Sequence, residues 1–231
     1  MIKVAIKREQ SQAYLSSAER EQAQRESSFL VKVCGMRDAE NIREVEALGI
    51  DLMGFIFWPK SSRYVSERPA YLPTKCKRVG VFVDEDIETL KRIADDYALD
   101  FIQLHGHESA DYCAQLKGLK LIKSISVSGQ DDIATYKTYE GLVDYFLFDT
   151  KCPSVGGSGQ QFDWTVLSAY DGNTPFLLSG GIGPDDAERL SAFHHKRCVG
   201  IDLNSRFEIA PGLKDINKLK DFLNALNNEQ D

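Results

Sequence analysis

Two residues with proton-transfer chemistry stand at the ends of apolar runs far apart in the chain. The stretch "FLVKVCGMRDAENI" (29–42) leads an apolar strand into Cys34 and a glycine, and a charged, helix-like segment follows. The stretch "YFLFD" (145–149) ends on Asp149. A thiol and a carboxyl at two such ends suit an acid and a base acting on different atoms of one substrate. Each residue alone has a plainer reading. A cysteine near a strand end is more often a small buried hydrophobe, and aspartate commonly terminates strands.

Three glycine-bearing segments have the composition of anion handles: "VGGSGQQFDW" (155–164), "SGGIGPDDAERL" (179–190) and "DLNSRFEIAPGLKD" (202–215). Glycines such as Gly157, Gly159, Gly180 and Gly181 let successive backbone N–H groups converge on an oxyanion, and the third segment places Asn204 and Ser205 in the same position after its strand. Arg63, in "PKSSRYV" (59–65), could clamp a carboxylate with two hydrogen bonds; an exposed, solvated arginine is the default alternative. His105 and His107 in "QLHGHE" (103–108) form an H-x-H pair, but little suggests the remaining ligands of a metal site. A hydrogen-bonded supporting role is expected for His105, and equally for Gln103 and Asp202. No metal is expected.

Positioning these residues requires a frame, and the chain has a regular one. Strand-like runs occur at 30–33, 52–57, 78–83, 101–104, 120–125, 145–149, 175–179 and 198–202. Most segments between them read as helices. "DAENIREVEALG" spaces Ile42, Val45 and Leu48 on one face, and "DEDIETLKRIADDYAL" does so with Ile87, Leu90, Ile93 and Tyr97. Asp38, Asp84 and Ser109 are the expected N-caps, with Pro184 in a first helical turn. Eight βα units without hairpin signals predict a single (β/α)8 barrel over 30–231. A doubly wound open sheet is the alternative, but no G-x-G-x-x-G follows the first strand. In a barrel, chemistry belongs at the C-terminal strand ends, which puts Cys34 and Asp149 at one mouth on backbones roughly 14 Å apart.

Composition narrows the classes further. Apolar and charged fractions of 42% and 27% are those of a globular protein, and no apolar run is long enough to cross a bilayer. A net charge of −7 argues against a general nucleic-acid binder. Five cysteines, an odd number without a CxxC pair, fit a reducing cytoplasm better than a disulfide scaffold. Residues 1–29 form a polar extension, helical or disordered, that cannot supply a core.

The motifs "VKVCGMRDAEN", "GFIFWPKSSRYV", "VGVFVDE", "IQLHGHE", "LFDTKCPSVGGSGQQFDW", "PFLLSGGIGPDDA" and "GIDLNSRFEIAPGLKD", in this order, resemble the phosphoribosylanthranilate isomerases of tryptophan biosynthesis. The resemblance spans nearly everything from residue 30 to about 225. It implies an Amadori rearrangement of N-(5-phosphoribosyl)anthranilate to 1-(2-carboxyphenylamino)-1-deoxyribulose 5-phosphate without a cofactor, in a monomer or homodimer. The family's general base falls on Cys34, its general acid on Asp149 and its anthranilate-binding arginine on Arg63. Its phosphate site falls on the glycine-rich loops. Asp149 must then start protonated, and nearby positive charge should make the Cys34 thiolate accessible near neutral pH. One departure stands out: Arg206 occupies a position where the family usually has glycine. Related isomerases of histidine biosynthesis carry aspartate at the strand-1 base position, and a non-catalytic phosphosugar-binding barrel would not need both Cys34 and Asp149.

Overall fold

The computed structural model describes residues 29–150 and 162–228. The polar extension up to residue 28 and the segment 151–161, with Gly157 and Gly159, lie outside the described residues.

Eight parallel strands close into a barrel: β1 Leu30–Cys34, β2 Leu52–Ile56, β3 Lys77–Phe82, β4 Phe101–Leu104, β5 Leu121–Val127, β6 Tyr145–Thr150, β7 Phe176–Leu178 and β8 Cys198–Leu203. Closure is made by β1 against β8, with Lys32 opposite Asp202. The helices are α1 Ala39–Glu46, α2 Ile87–Tyr97, α3 Ala110–Gln115, α4 Gln130–Ile133, α5 Ala187–Ala192 and α6 Ile216–Asn228. The expected closed barrel of eight parallel strands, with helices in most of the connections, is therefore present.

Apolar side chains make two cores, because strands in a barrel are buried on both faces. Leu52, Val79, Phe101, Ile122, Leu147 and Leu177 fill the lower barrel interior. The strand faces that point outward pack beneath the helices, for example Val33, Met53, Phe55, Phe146 and Phe176. The lower interior is thus sealed with hydrocarbon, and polar side chains of the same inward rows are confined to the upper part.

Local signals explain most helix starts. Asp38 caps α1 by accepting from the N–H groups of Glu40 and Asn41, and Ser109 caps α3 by accepting from Tyr112 N. Pro184 opens a 3-10 turn, Pro184–Asp186, that leads into α5. The cap of α2 is Asp86, not Asp84. Asp84 has a φ of 49° and turns its carboxylate to His107, accepting from the backbone N–H at 2.5 Å and standing 3.1 Å from Nδ1. Two aspartates two residues apart fit the cap pattern equally well; the loop contact with His107 decides between them.

The connection from β2 to β3 has no helix. Prolines at 59, 69 and 73 withhold backbone N–H groups there, so a continuous helical ladder cannot form. After β8 the chain makes a small antiparallel ribbon, β9 Glu208–Ala210 and β10 Leu213–Lys214, before α6.

Candidate active site

Cys34 is the last residue of β1 and only 3% exposed. Its neighbour across the sheet is Gly54, and a Cβ there would come within 2.5 Å of the Cys34 sulfur. The glycine of β2 is therefore what gives the thiol its space. Two residues back on the same inward row stands Lys32, fully buried, with Nζ donating to Asp202 Oδ1 at 2.8 Å. Asp202 also lies 3.5 Å from Ser179 Oγ.

Burial pushes the Cys34 thiol above its ordinary range, outweighing Lys32 and Lys214, which pull it down; Asp202 reinforces burial. The expected positive charge is present beside Cys34, but burial outweighs it and shifts the balance towards the thiol. The reason is desolvation of a charge enclosed by the barrel. Burial likewise opposes a charged Lys32, but Asp202 and Cys34 together hold its pKa above normal. The lysine thus stays cationic beneath the sulfur.

Asp149 lies at the mouth end of β6, partly buried, with Oδ1 accepting from Thr150 N at 2.8 Å. His105 Nε2 stands 3.5 Å from Asp149 Oδ2. The other ring nitrogen, Nδ1, is 3.0 Å from Gln103 Nε2. With the Gln103 amide donating, Nδ1 accepts and the ring hydrogen is carried on Nε2, the nitrogen 3.5 Å from Asp149 Oδ2. Asp202 is near enough to interact with Asp149 and His105 as well as Lys32. A polar arc therefore runs inside the mouth from Cys34 through Lys32 and Asp202 to Asp149, His105 and Gln103.

Arg63 is not a solvated surface arginine. It is 9% exposed, and Nε and Nη2 donate to the Glu208 carboxylate at 2.8 and 2.6 Å. Glu208 also accepts from Lys214 Nζ at 2.7 Å. Burial alone would raise the Glu208 pKa, but Arg63, Lys214 and the Gly212 N–H outweigh it and hold the carboxyl low.

On the opposite part of the rim, Gly180 and Gly181 adopt φ values of 88° and 71°. A side chain at Gly180 would collide with Thr150, so this turn needs glycine on both conformational and steric grounds. Asn204 directs its amide oxygen at Lys214 Nζ, 2.8 Å away, and Ser205 begins a 3-10 turn, Ser205–Phe207. Arg206 lies in that turn without a positive φ, so the family's glycine is not conformationally required here. Its exposed side chain runs beside Gly183, where a Cβ would come within 3.0 Å of Nε.

Several participants escaped the sequence reading. Lys32 interrupts an apolar run two residues before Cys34, and strand alternation alone puts both on one face. Glu208 and Lys214 are ordinary charges in a loop segment until the fold pairs them. Glu108 and Lys123 form a buried pair at 2.8 Å that anchors the "HGHE" loop; Glu108 also accepts from Asp84 N and Gly106 N. Among the described residues, no three His, Cys, Asp or Glu side chains converge as a metal site. No helix among them is long and apolar enough to cross a membrane.

The family model for N-(5'phosphoribosyl)anthranilate (PRA) isomerase matches residues 31–225. The N-(5'-phosphoribosyl)anthranilate isomerase of Phocaeicola vulgatus is 52% identical over 200 residues, covering 86% of this chain and 98% of that protein. The crystal structure of phosphoribosyl anthranilate isomerase from Thermotoga maritima superposes with a TM-score of 0.74 at 32% identity, covering 86% of this chain and 98% of that one. Similar, with a TM-score of 0.73, 30% identity and the same coverages, is a phosphoribosyl anthranilate isomerase in complex with reduced 1-(o-carboxyphenylamino)-1-deoxyribulose 5-phosphate. With the family model matching residues 31–225 and a relative 52% identical over 86% of this chain, the chain belongs to the N-(5'-phosphoribosyl)anthranilate isomerase family.

Proposed function

We propose that this enzyme isomerises N-(5'-phosphoribosyl)anthranilate to 1-(2-carboxyphenylamino)-1-deoxyribulose 5-phosphate in tryptophan biosynthesis, with Asp149 as general acid and Cys34 as general base. The observation that carries the assignment is the presence of both side chains at the upper end of one barrel, on β1 and β6, joined by a single polar arc.

Asp149 protonates the furanose ring oxygen as the C1′–O bond breaks, leaving an iminium (protonated Schiff base) at C1′. The iminium makes the C2′ hydrogen acidic. Cys34, as thiolate, removes that proton, and the electron pair forms the enolamine. Tautomerisation of the C2′ enol to the ketone completes the rearrangement, with protons the only species exchanged. His105, 3.5 Å from the Asp149 carboxylate, is placed to orient it and to take part in restoring its proton. Lys32, two residues back on the same inward row, supplies the charge that favours thiolate over thiol.

The substrate has two anionic ends that need separate receptors. Arg63 is the candidate for the anthranilate carboxylate, because a guanidinium matches it with two parallel hydrogen bonds. The turn with Gly180 and Gly181, together with the region of Ser205, is the candidate for the phosphate, consistent with the usual phosphate position after strands 7 and 8.

The test is the fluorescence decay of substrate generated in situ. Cys34→Ser and Asp149→Ala are each expected to lower kcat by at least about 100-fold, the range of a lost acid–base group, with unchanged circular dichroism. Turnover within a few-fold of wild type in either folded variant would remove that residue from its role.

A further inference from the structure

We propose that Glu208 is a positioning residue for substrate recognition: it fixes the Arg63 guanidinium by one edge so that the other edge faces the anthranilate carboxylate. The inference rests on the reading that Arg63 receives that carboxylate.

A guanidinium has two edges that can pair with a carboxylate, one formed by Nε and Nη2 and the other by Nη1 and Nη2. Glu208 occupies the first, with Nε at 2.8 Å from Oε1 and 3.1 Å from Oε2, and Nη2 at 2.6 Å from Oε2. Among the described residues, no hydrogen bond uses Nη1. The second edge therefore remains for a ligand.

Glu208 is poorly suited to being a competitor that substrate displaces. Its Oε1 also accepts from Lys214 Nζ at 2.7 Å and from Gly212 N at 3.0 Å. Moving the carboxylate away would take from a fully buried lysine its anionic partner, leaving it only the Asn204 oxygens, and from the Gly212 N–H its acceptor. Glu208 is fixed to β10 and its turn, and Arg63 is fixed to Glu208.

Charge leads to the same conclusion. Arg63 and Lys214 contribute two positive charges and Glu208 one negative, so the cluster keeps a net positive charge next to the mouth. A second carboxylate is attracted even with the first in place. A flexible arginine would otherwise lose its rotamer freedom on binding; here the fold has already restricted it. A second tether holds the same two loops together: Arg37 donates to Ser62 O at 3.1 Å and to Pro211 O at 2.9 Å.

The experiment is a double-mutant cycle of Glu208→Gln with Arg63→Ala, reading kcat and KM for phosphoribosylanthranilate. Loss of a charge-assisted contact corresponds to roughly tenfold or more in binding. Glu208→Gln alone is expected to raise KM about tenfold while kcat changes less than about threefold. In the Arg63→Ala background the same substitution should change KM less than about twofold, because it acts through the arginine. A KM that stays flat or falls in Glu208→Gln, while Arg63→Ala raises it, overturns the positioning role alone. An equal KM increase in both backgrounds also overturns it. A flat KM in Arg63→Ala would instead overturn the underlying carboxylate-clamp reading. Should Glu208→Gln fail to fold, Glu208→Asp keeps the charge but pulls it back by one methylene. The same cycle then applies, with the same outcomes for and against.

Discussion

Cys34 and Lys32 occupy the same inward row of β1, and the chemistry of the sulfur follows from that neighbour. The groups facing it are Lys32 from its own strand, Asp202 from β8 and Lys214 from the ribbon after β8. The two lysines favour thiolate, whereas Asp202 and burial oppose it. Lys32→Met should therefore shift the alkylation of Cys34 by iodoacetamide to higher pH. Asp202→Asn, which removes the competing anion and releases Lys32 to the sulfur, should shift it to lower pH. Rates of Cys34 modification followed from pH 6 to 10 by mass spectrometry check both signs. A shift in the same direction for both variants would mean that the profile reports loosening of the barrel instead of local charge.

Strands and loops set how closely these groups approach. Gly54 stands opposite Cys34 in the β1–β2 register, and the space of its missing side chain is filled by the sulfur. Gly54→Ala forces the two apart and should destabilise the barrel by about 1–3 kcal/mol, the usual cost of overpacking. Activity should fall with it. In a Cys34→Ala background the destabilisation should shrink, since the 2.5 Å clash is with the sulfur itself. Urea unfolding of the four proteins measures that coupling; a cost independent of residue 34 would contradict it. The same scale shows where sequence patterns run out. The caps Asp38 and Ser109 are legible because a cap is a local interaction of two or three residues. Asp86 displaced Asp84 because Asp84 is engaged by His107, a contact 23 residues away along the chain.

At the scale of the whole molecule, the closed barrel buries thiols along with hydrocarbon. The Cys76 thiol is pushed up to about 12 and that of Cys198 to about 11, burial being the main cause in both, and Cys34 and Cys113 move the same way. Unfolded cysteines ionise near about 8.5. Between those values the folded state holds more protons than the unfolded state, so stability decreases as pH rises. Below the unfolded pKa this contribution is intact; it is lost progressively above it. Urea midpoints should drop between pH 7.5 and 9.5, and the drop should be smaller in a Cys76→Ala/Cys198→Ala variant. An identical pH dependence in that variant would assign the effect to other groups.

Taken alone, the sequence determined the eight-stranded barrel and the two strand ends that carry Cys34 and Asp149. Those features depend on hydrophobic periodicity, on residues adjacent in the chain and on the rule that barrel sites form at C-terminal strand ends. Only the tertiary structure decided which charges meet. Lys32 finds Asp202 across 170 residues, and Arg63 finds Glu208 across 145. The physical reason is that an ion pair stabilises a buried site through distance and desolvation, and both are set when β8 closes on β1 and the loops fold over the mouth.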